Sequence, residues 1–308
     1  MTIIQRPFDH RTDLDAMAEL ANEFSVENMH VVDLPYRFSS WAMDHRENVR
    51  LWFDGDEKLI GWAVMQTPFW TIDYAFHPAA GAEVHPQILR WADERAAQIV
   101  DTPAGRPIWF INVFTRQEDR IRDLEEAGFA SQANVGENSW TKVLMQQAAD
   151  MLREAPALPD GFHIRPLAGE DEVDAYVDMH REVFQSTSMT SEWRTRTLKQ
   201  PAYIADLDLV VTAPNGTLAG FCICWLNRSS ARGVSGQVEP LGIREPYRNL
   251  GIGKSLLTEG LRRLQAHGAQ TMFVETDNDR DEAFMLYESV GYRVLEDVLV
   301  YRKDYAPL

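Results

Sequence analysis

The sequence predicts a mixed α/β protein made of two tandem copies of one domain, and three observations carry that prediction. Its 308 residues exceed what a single hydrophobic core usually holds. Short sequence pairs recur at an offset of 159 (165 − 6): Arg6-Pro7 with Arg165-Pro166, Asp15-Ala16 with Asp174-Ala175, and Leu59-Ile60-Gly61-Trp62 with Leu218-Ala219-Gly220-Phe221. Later the offset becomes 163 (288 − 125), with Glu125 and Gly128-Phe129 answering Glu288 and Gly291-Tyr292. In the second copy, short apolar runs of strand period alternate with helical patterns. The expected division is residues 1–148 and 160–308, joined by Gln146 to Gly161, where Pro156, Pro159 and Pro159-Asp160-Gly161 mark a linker.

The second copy reads element by element. Phe162 to Leu167 is a strand, Asp171 to Phe184 an amphipathic helix, and Ser191 to Lys199 a second helix. Leu207 to Ala213 and Leu218 to Trp225 form a hairpin around Pro214-Asn215-Gly216. Strand Ser235 to Ile243 follows, then a glycine turn, a helix over Ser255 to Gln265 with Leu256, Leu257, Leu261 and Leu264 on one stripe, and strand Thr271 to Thr276. A helical run over Ala283 to Tyr292 and a strand Val294 to Arg302, expected to close the sheet of this half, complete it.

Composition narrows the function classes. Thirty Lys+Arg against 47 Asp+Glu leave a net charge of −17, a field that repels nucleic acid and anionic membrane and draws cationic small molecules; an acidity that only keeps the chain soluble fits equally. Cys222 and Cys224 alternate within Phe221-Cys222-Ile223-Cys224-Trp225 and read as core strand filling. The eight histidines show no metal-ligand spacing, so no metal is expected. Met1 to Pro7 is short and polar and no apolar run nears the ~20 residues of a membrane span, which points to the cytoplasm. Oligomeric state is not legible.

The glycine turn carries the most chemistry. In Glu239-Pro240-Leu241-Gly242-Ile243-Arg244-Glu245-Pro246-Tyr247-Arg248-Asn249-Leu250-Gly251-Ile252-Gly253-Lys254, a strand breaks into Arg-x-x-Gly-x-Gly and opens a helix. Free helix N–H groups and the positive dipole end then face a turn whose glycines admit a pyrophosphate, so both glycines are expected to resist replacement. Gly253-Lys254-Ser255 looks like the end of a P-loop, but that motif needs a glycine where Arg248 stands. A dinucleotide fingerprint needs a third glycine where Leu256 stands.

The spacing Arg248 to Gly253 resembles the acyl-CoA turn of the GNAT acetyltransferase superfamily. Downstream, Asp277-Asn278-Asp279 and Ala283-Phe284-Met285-Leu286-Tyr287-Glu288-Ser289-Val290-Gly291-Tyr292 resemble the same family's Asn, Ala, Leu-Tyr and Gly-Phe/Tyr signature. The resemblance covers residues from about 160 to 305. It implies a mixed, largely antiparallel sheet flanked by helices, and acetyl-CoA as acyl donor to a primary amine. Cofactor contacts are implied for Leu241, Gly242, Ile243, Arg248, Asn249, Leu250, Gly251, Ile252, Gly253, Lys254 and Asn278. In the family the strand before the turn splays from its neighbour and pairs with the pantetheine arm, a role that falls on the backbone of Leu241 and Ile243. Tyr287 corresponds to the tyrosine that protonates the departing thiolate, with packing beside Phe284 as the alternative; Asn278 serves equally as a cofactor contact or, like Asp279, as a helix cap.

Direct acyl transfer also needs a base. Glu239 sits on the strand before the turn, alternating with Gln237 and Leu241 toward one face, where apolar neighbours raise its pKa toward neutrality. Glu275 on the next strand competes for the role, and either is alternatively a solvated strand residue. The resemblance implies an acceptor pocket formed largely by Phe184 to Tyr203, where Trp193 and Tyr203 line it or simply pack. In the first copy, alignment of Pro78 with Pro246 and Leu89 with Leu257 puts Ala80, Glu83 and His85 where Arg248, Gly251 and Gly253 stand. An acidic residue opposes phosphate, so this copy is expected to keep the fold without the cofactor. The rival to an N-acetyltransferase is a non-catalytic acyl-CoA-binding or regulatory protein.

Overall fold

Each half of the chain opens with the same strand and the same ion pair. In the computed structural model, which describes residues 2–9, 12–229, 233–278 and 281–305, Arg6 Nη1 lies 2.8 Å from Asp13 Oδ2 and Arg165 Nη1 2.8 Å from Glu172 Oε2, seven residues on in both cases. The same carboxylates accept the backbone N–H of Asp9 and of Ala168, four residues before them. The repeat seen in the sequence is therefore one local structure formed twice.

The first half contributes β1 (Ile4–Pro7), α1 (Asp13–Glu23), α2 (Leu34–Phe38), β2 (Val49–Phe53), β3 (Leu59–Gln66), β4 (Thr71–Phe76), α3 (Gly81–Ile99), β5 (Ile108–Phe114), α4 (Glu118–Glu126), β6 (Ala130–Ser131) and β7 (Thr141–Ala148). The second contributes β8 (His163–Pro166), α5 (Val173–Phe184), α6 (Ser191–Leu198), β9 (Asp208–Thr212), β10 (Leu218–Asn227), β11 (Ser235–Ile243), α7 (Ile252–Ala266), β12 (Thr271–Asp277), α8 (Asp281–Val290) and β13 (Arg293–Asp304). The fold is mixed α/β, and every element expected in the second half is present within a few residues of its bounds.

These elements form two units: Met1–Val143 with Ser229–Arg232 and Glu296–Leu308, and Leu144–Arg228 with Gly233–Leu295. Strand order is β1-β2-β3-β4-β5-β13 in the first and β8-β9-β10-β11-β12-β7 in the second. The pairs β4/β5 and β11/β12 are parallel, while the first three ladders of each unit and β5/β13 are antiparallel. One expectation is corrected here. Val294 to Arg302 does not close the sheet of its own half, because Val298 to Asp304 pair with Phe114 to Ile108 of β5. The place beside β12 is filled by β7, which runs on into the expected linker as far as Ala148, and only the stretch after the 3-10 turn Ala149–Met151 runs as open chain to β8.

In the first unit β3 is buried along its whole length. Helix α3 covers one sheet face with Val84, Ile88, Leu89, Ala92 and Ala96, and α1 covers the other with Met17, Leu20 and Ala21. The second unit repeats this scheme around β10, which is buried from Leu218 to Leu226. The α7 stripe Leu256, Leu257, Leu261 and Leu264 is fully buried as its spacing requires. Helix and strand approach so closely that a Cβ on Gly260 would lie 2.9 Å from Cys224 Sγ and 3.2 Å from Cys222 Sγ. The two cysteines are reduced and buried against that helix, in the packing role read from their alternation.

Candidate active site

The turn between β11 and α7 is built from backbone. Asn249 and Gly251 both adopt left-handed conformations, φ 62° and 79°, and Ser255 N–H makes the first intrahelical bond, to Gly251 O at 3.2 Å. The N–H groups of Ile252, Gly253 and Lys254 thus have no acceptor within the helix, and no side chain caps it. A Cβ on Gly251 would meet nothing within 4 Å, so its conformation, not crowding, demands glycine. At Gly253 a Cβ would sit at ordinary contact distance, 3.5 Å from Ile243 and 3.7 Å from Leu286. The two glycines, expected to be alike, differ: one is conformational and the other sterically replaceable by alanine. Arg248 Nε donates to Ile243 O at 3.1 Å, which folds the turn back on the strand that feeds it.

Beside the turn the sheet opens. Strands β11 and β12 pair only through Ser235, Gly236 and Gln237 with Thr271, Met272 and Phe273, although both continue for four or more residues. Arg244 N–H donates to Ala219 O across the β10 ladder. By the alternation of an antiparallel strand, Gly242 turns its N–H and C=O toward β10, and Leu241 and Ile243 turn theirs into the opening. This is the wedge expected ahead of the turn. Gly242 is required by side chains: a Cβ there would lie 2.5 Å from Val183 and 2.7 Å from Phe221.

A bulge at Glu239-Pro240 changes the reading of the β11 faces. Cys224 pairs with Val238 and Cys222 with Leu241, so the strand carries one extra residue between them. Gln237, opposite Trp225, shares the α5 face, whereas Leu241, opposite Cys222, points to the α7 face. Glu239 therefore does not lie beside Leu241, and the expected common face of Gln237, Glu239 and Leu241 is broken. Its backbone oxygen accepts Trp225 Nε1 at 2.8 Å, and its side chain is close enough to Tyr176 for the two charges to interact.

Around Tyr176 lies a buried ionic network that the sequence reading missed. Arg194 and Asp208, both fully buried, form an ion pair; Tyr203 donates to Asp208 at 2.8 Å, and the guanidinium lies 3.9 Å from the Tyr176 ring centre. Burial raises the Tyr176 and Tyr203 phenols, and the Asp208 charge adds to both. The available signal was Asp208 itself, a charge inside the apolar run Leu207 to Val211. Trp193 is buried and packs rather than lining an opening. His180 faces Phe221 at 5.6 Å, and burial lowers its pKa to about 3.

Tyr287, on α8, is buried, with its ring edge-on to Tyr292 at 5.8 Å. Asn278 is exposed in the turn that follows β12, and Glu275 is half-buried on that strand; Asp279 lies outside the described residues. Among the described residues no cluster of His, Cys, Asp and Glu could hold a metal ion, and no helix is long and apolar enough to cross a membrane.

The first unit shows what the same site looks like without the turn. The 3-10 turn Pro78–Ala80 corresponds to Glu245–Tyr247, but α3 begins at once with Gly81, whereas four residues separate the second turn from α7. Ala80 is the helix N-cap, and Glu83 and His85 lie inside the helix, so the glycine loop is absent rather than substituted. The wedge survives, with β4 and β5 pairing only at Thr71 and Phe110. Helices α4 and α8 end in the same hydrogen bonds, Phe129 N–H to Leu124 O and Tyr292 N–H to Tyr287 O. Leu124 therefore stands where the second unit has Tyr287.

Comparisons agree with this geometry. Residues 173–292 match the family described as Acetyltransferase (GNAT) family. The mycothiol acetyltransferase of Streptomyces avermitilis is 29% identical over 152 residues, 48% of this chain and 48% of that protein, so the match spans about half the length of that relative. A GCN5-related N-acetyltransferase from Sphaerobacter thermophilus superposes over 99% of this chain and 96% of its own, with TM-score 0.68 at 18% identity. A tandem GNAT protein from the clavulanic acid biosynthesis pathway covers 100% of both chains with TM-score 0.63 at 12% identity.

Proposed function

We propose that this chain, whose second half belongs to the GNAT superfamily, is an acetyl-CoA-dependent N-acetyltransferase that works through its second unit. The observation that carries the proposal is the open wedge at Leu241 and Ile243 leading into a turn of uncapped amides at Gly251 to Lys254. That pairing suits a donor with an extended amide arm and a diphosphate. The turn Arg248, Asn249, Leu250, Gly251, Ile252, Gly253 and Lys254 would hold the diphosphate. The backbone of Leu241, Gly242 and Ile243 would align the arm, with Asn278 beside it.

In the transfer itself, Glu239 would take a proton from the acceptor ammonium, directly or through one water. The freed amine forms the new C–N bond, the C–S bond breaks, and the Tyr287 hydroxyl gives its proton to the departing sulfur, while the second nitrogen proton leaves through water and restores the phenol. A backbone N–H of the wedge would stabilise the carbonyl oxygen as its charge develops. Glu275 or solvent is the competing base. The acceptor is a primary amine of a small molecule or peptide, and the acidic chain favours a cationic one. The amine that mycothiol acetyltransferases acetylate is a first candidate. The first unit is assigned no acetyl-CoA, because it has neither the loop nor the tyrosine. A cytoplasmic setting belongs to the same reading.

Calorimetry with acetyl-CoA, followed by thiol release over a panel of amines, tests this. One site per chain and amine-dependent release are expected. Two equivalent sites would overturn the assignment to the second unit. Binding without release from any amine would favour an acyl-CoA-binding or regulatory protein.

A further inference from the structure

The first unit has a cavity of about 590 Å³ between the start of α3 and the start of α4, at the mouth of its own wedge. Its apolar side is Phe76, Pro78 and Ala82, and its polar side includes Arg116, Arg120 and Asp123. Most of the charges here are already paired. Arg116 holds Glu27 at 2.7 Å and Glu296 at 2.9 Å, Arg122 holds Asp119 at 2.8 Å, and Asp123 takes His85 at 2.8 Å.

Two are not: Glu118 is exposed, and Arg120 is half-buried with no carboxylate among the described residues within ion-pair distance of it. The Arg120 guanidinium carbon lies over the Phe76 ring, 4.1 Å from its centre, and 5.7 Å from that of Tyr74. Its Nη2 donates to Asn28 Oδ1 at 3.3 Å, and the Tyr74 hydroxyl is also within reach of the guanidinium. The Tyr74 hydroxyl, close enough for its charge to couple to Arg120, is buried without a hydrogen-bond partner of good geometry. A guanidinium seated on an aromatic ring, with no carboxylate partner, is prepared for an anion. Burial also holds the Arg120 pKa below its ordinary value in spite of the more distant Glu27 charge, the mark of a cation that is incompletely compensated.

We propose that this cavity binds a small monocarboxylate with an apolar body, its carboxylate on the Arg120 guanidinium and its body against Phe76, Pro78 and Ala82. The unit that lost the glycine loop would then still be a ligand site, of different chemistry from the donor site of the second unit.

The test is calorimetry of the full chain with acetate, hexanoate and benzoate, each against its neutral amide. At least one carboxylate should bind saturably while its amide does not, and Arg120→Met should weaken it by about tenfold or more. Gly251→Glu should leave carboxylate binding unchanged, which separates this site from acetyl-CoA, and Arg120→Met should keep acetyl-CoA binding, which shows that it folds. Crystals grown with 4-bromobenzoate should place the bromine signal beside Phe76, and this decides the matter if Arg120→Met is unstable. No saturable carboxylate binding, equal binding by the amides or by a folded Arg120→Met, or bromine only in the second unit would each overturn the proposal.

Discussion

Replacing the two turn glycines one at a time separates backbone conformation from space. Gly251 holds φ 79° with nothing within 4 Å of a Cβ, so alanine there has room but a disfavoured backbone, at a cost of about 1–2 kcal/mol. If the turn relaxes to escape that strain, its amides move, and acetyl-CoA affinity falls by up to roughly tenfold or somewhat more at ~1.4 kcal/mol per decade. Gly251→Glu would add a carboxylate within ~4 Å of a phosphoryl charge, worth about 1 kcal/mol in water and about 4 at an effective dielectric of 20, a further fivefold to roughly thousandfold. Gly253 is helical and its Cβ would make ordinary contacts at 3.5 and 3.7 Å, so Gly253→Ala should bind within about twofold of wild type and gain helix propensity of up to ~1 kcal/mol. Calorimetry on the three variants reads this out. Near-normal affinity in Gly251→Glu, or a greater loss in Gly253→Ala than in Gly251→Ala, would refute the reasoning.

Tyr287→Phe should slow thiol release about tenfold or more while leaving acetyl-CoA affinity nearly intact; equal loss in both would make Tyr287 a packing residue against Tyr292. Glu239→Gln should lower the rate with a cationic amine and remove the acidic limb of the pH profile, and a retained limb would move the base to Glu275 or solvent. His180 is held neutral, its pKa lowered to about 3 by burial. The folded state then binds fewer protons than the unfolded state between about pH 3 and 6.5, so stability is intact above ~6.5 and falls as pH drops through that value. The loss from this one group is about 2 kcal/mol by pH 5. His180→Phe, which keeps an aromatic ring facing Phe221, should reduce the difference in urea midpoint between pH 7 and pH 5, and an unchanged difference would show that His180 is solvated.

The donor side was legible because its physics is local. Gly251, the α7 leucines and the Pro214-Asn215-Gly216 hairpin are fixed by conformation and periodicity within a few residues, and each appears where the sequence placed it. Two things depend on register and were missed. The bulge at Glu239-Pro240 moves Leu241 to the opposite face from Gln237, which Pro240 hinted at without giving the side. The partner of the last strand depends on contacts across nearly 200 residues, Val298 with Phe114, and no local pattern encodes that choice. The buried network went unread for the same reason: Arg194, Asp208, Tyr203 and Tyr176 converge from four separate elements or loops.

The exchange of last strands has a consequence during synthesis. A ribosome delivers β1 to β6 early, yet β5 has no β13 to pair with until residues 298–304 have left the exit tunnel. Until then the edge of β5 offers unpaired backbone to any other strand, the situation that invites misassembly. The second unit, by contrast, receives its borrowed strand β7 before any of its own. The unit made first is thus the one finished last, and a chain cut short near residue 290 would leave the earlier unit, not the later one, without its edge.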